Sequence, residues 1–168
     1  MTNTFAPIPG AAGFQLSNPS AIDLSGVLAS LSVFEKTDMA ALRRKSLAIT
    51  AYLEDLLLAD EDRVYSIITP SDKEQRGAQL SILLEEGLLE TVMEYLEEEG
   101  VVVDERKPDV IRVAPAPLYN SYEDVWNFMK AFREGCKRAV KAKKEGKEKG
   151  KSVMVDGGSG DKGWSDIK

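Results

Sequence analysis

The sequence contains no histidine and a single cysteine, Cys136, and aromatic residues make up only 7% of it. Without histidine there can be no Ser-His-Asp or Cys-His nucleophile arrangement, no His-ligated zinc and no imidazole titrating near neutrality. Chemistry must then run on carboxylates, Lys, Arg, Tyr or a borrowed cofactor. One cysteine cannot form an intramolecular disulfide, so a reducing compartment, the cytoplasm, is the expectation. Long apolar runs are missing too. No stretch approaches the roughly 18 apolar residues of a membrane span, and Met1 to Phe14 lacks the basic-then-apolar pattern of a leader, so no membrane association is expected. A Gly-rich phosphate loop, metal-ligand spacing and a nucleophile elbow are equally lacking.

What is there suits one domain with a tail. The 168 residues are 43% hydrophobic, enough for a core of ordinary size, and carry a formal charge of −6. That charge is unevenly spread: residues 137 to 168 hold ten Lys/Arg against five Asp/Glu, so the body is strongly acidic and the tail basic. From Lys141 the composition turns to Gly, Lys and Asp with few apolar side chains, and residues 146–168 read as a disordered basic tail. The run could touch an anion only by charge, since neither aromatic interleaving nor an Arg bias accompanies it, and no nucleic-acid partner is expected.

Periodicity predicts the elements of the body. Residues Ala21 to Glu35 are small and apolar and follow Asn18-Pro19, which suit an N-cap and a first helical position. Leu42, Ile49, Leu53 and Leu56 mark one face of a long helix starting after Asp38 as its N-cap. Val64 to Thr69 and Ala78 to Leu84 read as strands bounded by Pro70 and Gly77. An amphipathic helix through Leu88, Leu89, Val92, Met93 and Leu96 ends at Gly100. Strands are then expected at Val101 to Val103 and at Val110 to Ala114. Ser121 with Asp124 forms a capping box, and Val125, Phe128, Met129, Phe132, Cys136 and Val140 make the buried stripe of the last helix. Two helices, two strands, a helix, two strands and a helix imply an α/β, α+β two-layer domain over residues 21–145, preceded by an extended segment over residues 1–20.

Two places could carry function. Arg112 interrupts the apolar strand Val110 to Ala114 just before a double-proline exit, and a partly desolvated guanidinium there must find an anion: a structural carboxylate, or the carboxylate of a ligand. Ser17 and Asn18 precede a helix, where they can either cap it or help bind an anion such as a phosphate. The acidic cluster from Glu85 to Glu99 reads as a solvated helix face, and Cys136 as a small buried hydrophobe.

The phrases GFQLSNPS, IITPSDKEQRGAQLS, GVVVDERKPDVIRVAPAPLYNS and YEDVWNFMKAF occur in collinear order from about Ile8 to about Arg138. Together they resemble the C-terminal part of kynureninases. The resemblance implies the C-terminal small domain of a fold-type I pyridoxal-phosphate enzyme, with a short, largely antiparallel sheet covered by helices. It further implies a homodimer with active sites at the subunit interface. The implied reaction is hydrolysis of L-kynurenine or 3-hydroxykynurenine to anthranilate or 3-hydroxyanthranilate plus L-alanine, in tryptophan degradation and NAD biosynthesis. By the same resemblance Arg112 matches the arginine that grips the substrate α-carboxylate. Asn18, with Ser17 beside it, matches a cofactor-binding position contributed across the dimer. Arg76 and Gln79 also match a family motif, and are assigned to structure. No lysine matches the one that bears the cofactor: Lys36, Lys45, Lys73, Lys107 and Lys130 sit mostly among charged or polar neighbours. The chain is therefore expected to start downstream of that lysine and to be inactive alone. Two alternatives remain in view: a non-catalytic interaction module, and the small domain of another pyridoxal-phosphate lyase or aminotransferase such as a cysteine desulfurase.

Overall fold

In the computed structural model, which describes the backbone of residues 6–156 and the side chains of residues 6–146, the chain divides into two units, Met1–Ala41 and Leu42–Lys168. The first unit holds a single helical turn, Ala11–Phe14, and the helix α1, Ala21–Phe34. Ser20 rather than Asn18 caps α1, its hydroxyl accepting from the Asp23 amide. Serine caps as well as asparagine does, and the start two residues later leaves Pro19 outside the helix. None of the residues of α1 is buried: Ile22, Leu24, Val27, Leu28, Leu31, Val33 and Phe34 are all exposed. The segment before it likewise exposes Ile8, Phe14 and Leu16, while Phe5 lies outside the described residues.

The helix α2, Met39–Leu58, opens as expected with Asp38 accepting from the Ala41 amide at 2.7 Å. Its buried stripe is Ser46, Ile49, Thr50, Leu53 and Leu57, so Leu57 takes the core position read for Leu56, which packs only partly buried against it. Four antiparallel strands follow: β1, Tyr65–Ile67; β2, Leu80–Leu84; β3, Asp104–Arg106; and β4, Val110–Val113, in the order β1-β2-β4-β3. Between β2 and β3 runs α3, Leu89–Glu98, and after β4 the helix α4, Tyr122–Asp156.

Alternation sorts each strand into a core side and an open side. On β2 the residues Leu80, Ile82 and Leu84 are buried, and on β4 Ile111 and Val113. They join Leu53 and Leu57 of α2, Leu89, Val92 and Leu96 of α3, and Val125, Phe128, Met129, Phe132 and Cys136 of α4 in one cluster. Helices thus gather on one face of the sheet. This is the two-layer arrangement with a short antiparallel sheet that the sequence implied.

Two expectations need correction. The third strand is Asp104–Arg106, not Val101–Val103. Gly100, at φ +73°, ends α3 in the left-handed conformation that lacks a penalty only for glycine, and the three valines carry the chain back to the sheet edge. Val102 is 96% exposed on the way. Pairing begins only where Asp104 meets Arg112. The last helix also continues past Gly146, where a disordered tail was expected, to Asp156. Lys, Glu and Ala are strong helix formers, so a highly polar segment can extend a helix whose start is packed and capped. Residues 157–168 of that tail lie outside the described residues.

Candidate functional site

The open face of the sheet carries a polar row. Register places Ser81 of β2 opposite Arg112 of β4, and Arg112 opposite Asp104 of β3, so the three lie side by side across the strands. Period-two alternation sends Arg112 away from the core that its neighbours Ile111 and Val113 enter. Its side chain is 35% exposed and Asp104's 45%. Arg112 Nε donates to Asp104 Oδ2 at 2.5 Å and its Nη2 meets the same oxygen. Arg106 Nη2 approaches that oxygen as well, at 3.1 Å. The anion that Arg112 had to find is therefore, within this chain, Asp104.

Ser81 is set by its own neighbours. Its amide donates to Thr69 Oγ1 at 2.8 Å, and its hydroxyl accepts from Gln79 Nε2 at 3.4 Å. Gln79 thus faces a neighbour, as assigned. Downstream of Arg112 the double-proline exit is pinned: Asn120 Oδ1 accepts from the Ala116 amide at 2.8 Å, and the Asn120 amide donates to Ala116 O at 2.9 Å. Ser121 and Asp124 then close the expected capping box, the Ser121 amide donating to Asp124 Oδ2 at 2.7 Å and the Asp124 amide to Ser121 Oγ at 3.2 Å. Backbone on both sides of the arginine is fixed by strand pairing and by this cap.

Arg76 does structural work of a different kind. Its guanidinium, with 3% of the side chain exposed, makes a two-pronged pair with Glu54 of α2, Nη1 donating to Oε1 at 2.7 Å and Nη2 reaching Oε2. The Arg76 hydrogen bond holds the Glu54 carboxyl below the usual carboxylate range. Arg43 adds a clamp, donating to Arg76 O at 3.0 Å and to Lys73 O at 2.7 Å. Cys136 is buried on α4 as read, and burial, with the charge of Asp60 adding to it, pushes its thiol up to about 12.

Ser17 and Asn18 are exposed residues of the first unit, ahead of the Ser20 cap. The cap role open to Asn18 thus belongs to Ser20. No lysine among the described side chains is buried, and among the described residues no group of His, Cys, Asp or Glu could hold a metal ion. No described helix is long and apolar enough to cross a membrane. What the described part offers on the open face of the sheet is the Arg112 guanidinium, paired with Asp104. Sequence reasoning found Arg112 but missed Asp104 and gave Ser81 no role; the period-two alternation of the Ser81 and Arg112 strands was the signal available for their sharing a face.

The fold is that of the small domain of pyridoxal-phosphate enzymes. A solved C-DES mutant with glycine covalently linked to the PLP cofactor matches it with a TM-score of 0.60 at 17% identity, over 73% of this chain and 31% of that one. The kynureninase C-terminal domain model matches residues 42–132, and the chain belongs to the kynureninase family. It is 61% identical to kynureninase 1 of Aspergillus oryzae over 86% of its length, and 58% identical to the kynureninase of Coccidioides immitis over 85%. In each case it spans 31% of the relative's length.

Proposed function

We propose that this chain supplies the substrate-carboxylate grip of a kynureninase, an enzyme that hydrolyses L-kynurenine or 3-hydroxykynurenine to anthranilate or 3-hydroxyanthranilate plus L-alanine. The observation that carries the proposal is the placement of Arg112: a planar, permanently charged donor held rigidly on the open face of a sheet beside the hydroxyl of Ser81. A guanidinium suits a carboxylate because its N–H groups match two oxygens at once and its charge persists at every working pH. Gripping the α-carboxylate fixes the amino acid's orientation, which converts remote binding energy into alignment at the reacting carbon.

Pyridoxal phosphate, bound by the rest of the enzyme, supplies an electron sink for the carbanion chemistry. Ser17 and Asn18 are assigned to its neighbourhood in the assembled homodimer, the partner protomer contributing across the interface. Their exposure in the first unit leaves them available for that role. The lone cysteine supports a reducing cytoplasmic setting.

The test is Arg112→Lys in the full-length enzyme that carries this segment. Keeping the charge but losing the planar fork is expected to lower kcat/KM for L-kynurenine about a hundredfold, on the order of 3 kcal/mol. Unchanged kcat/KM would exclude Arg112 from substrate binding. The isolated chain, mixed with pyridoxal phosphate, reduced with borohydride and freed of small molecules, is expected to carry no stoichiometric pyridoxyl group by mass; one pyridoxyl-lysine per chain at a single position would contradict the assignment of cofactor attachment to residues elsewhere.

A further inference from the structure

Resting on the reading of Arg112 as the substrate's carboxylate grip, we infer that Asp104 is a positioning residue that turns the Nη1–Nη2 end of the Arg112 guanidinium toward substrate. A guanidinium has five N–H donors in one plane, and which of them meet a ligand depends on which are already spent. Asp104 Oδ2 takes Nε and one hydrogen of Nη2, the side edge of the fork. Among the described residues no other acceptor meets Arg112, so both hydrogens of Nη1 and the second of Nη2 remain. These form the end-on pair that fits the two oxygens of a carboxylate.

The arrangement is built in from both sides. Asp104 sits directly opposite Arg112 in the ladder, a relation fixed by the backbone of two paired strands rather than by a mobile loop. Arg106, two residues along the same strand and on the same face, holds the same oxygen at 3.1 Å. With two cations on it, Asp104 carries less net negative potential toward an incoming carboxylate than a lone aspartate would. It therefore orients the arginine instead of competing for it. On the other flank of the row stands Ser81, whose hydroxyl is a ready additional donor to the same ligand group.

The experiment uses full-length enzyme with its cofactor, carrying Asp104→Asn and, separately, Asp104→Glu. Asparagine keeps the size and one acceptor but loses the charge that anchors the fork. The expected result is a rise of about tenfold in KM for L-kynurenine with kcat within about twofold, and partial restoration by glutamate. Inhibition by L-alanine should weaken by the same factor, while inhibition by L-alaninamide, which lacks the carboxylate, should not move. An unchanged or lowered KM in both variants, or equal weakening for alanine and alaninamide, overturns the positioning role. If asparagine fails to fold, the glutamate variant alone decides: an L-alanine constant that moves while L-alaninamide's stays supports the role, and parallel or absent changes refute it. Arg112→Lys in the same assay separates this inference from the reading beneath it. No effect there would sink the grip itself, whereas an effect there with none at Asp104 sinks only the positioning role.

Discussion

Arg76 and Glu54 show what a single buried pair demands. Each prong of the guanidinium meets one carboxylate oxygen, and with 3% and 15% of the two side chains exposed, either charge left alone would have little water to turn to. Arg76→Met is therefore expected to lower unfolding stability by about 3 kcal/mol in urea titrations, most of it the cost of stranding Glu54. The pair also sets an acid limit. Because Arg76 holds the Glu54 carboxyl below its unfolded value, the associated stability is complete above the ordinary carboxylate value and is lost as pH falls through the lowered one. The methionine variant should accordingly lose less stability than the wild-type chain on going from neutral pH to about pH 3. Cys136 gives a second outcome at this scale: with its thiol pushed up to about 12 and buried, it should resist a disulfide reagent at pH 8 and react at full stoichiometry only in denaturant. Arg112 was legible in the sequence as an arginine with apolar neighbours that needed an anion. Its partner was not, because alternation along one strand says which face a residue takes but not which residue lies opposite on the next.

Elements were legible where packing and caps agree. The stripe of α4 from Val125 to Cys136, the Asp38 and Ser121 caps and the Gly100 stop all follow from spacing, and each was found in place. The third strand was misplaced because Val101 to Val103 has ideal strand composition, whereas Asp104–Arg106 has almost none. An edge strand needs little apolar character when cross-strand charge pairs hold it, and charged edges also discourage further pairing. Gly100 is what gives the valines their connecting role. At φ +73° an alanine meets no neighbouring atom but must adopt a left-handed backbone. Gly100→Ala is expected to cost about 1 kcal/mol, read as a lower urea midpoint with an unchanged slope, and an equal or higher midpoint would deny the strain.

At the scale of the whole molecule, the chain spans 31% of the length of its kynureninase relatives, and α1 exposes apolar residues along its length. Surfaces of that composition favour association, so the isolated chain is expected to bind a hydrophobic dye and to sediment above monomer mass at micromolar concentrations. A monomer without dye binding would contradict it. Pairing of β4 on both edges has a further consequence, in time rather than in space. A strand flanked by β2 and β3, with Ile111 and Val113 sealed in the core, belongs to the last cooperative unit to open, and the backbone of Arg112 sits between those two residues. The amides of Ile111 and Val113, which face β2, should therefore exchange hydrogen among the slowest in the chain, far behind those of Lys73–Gln75. Breathing motions that loosen the connections would leave the guanidinium's anchor undisturbed until the domain as a whole comes apart.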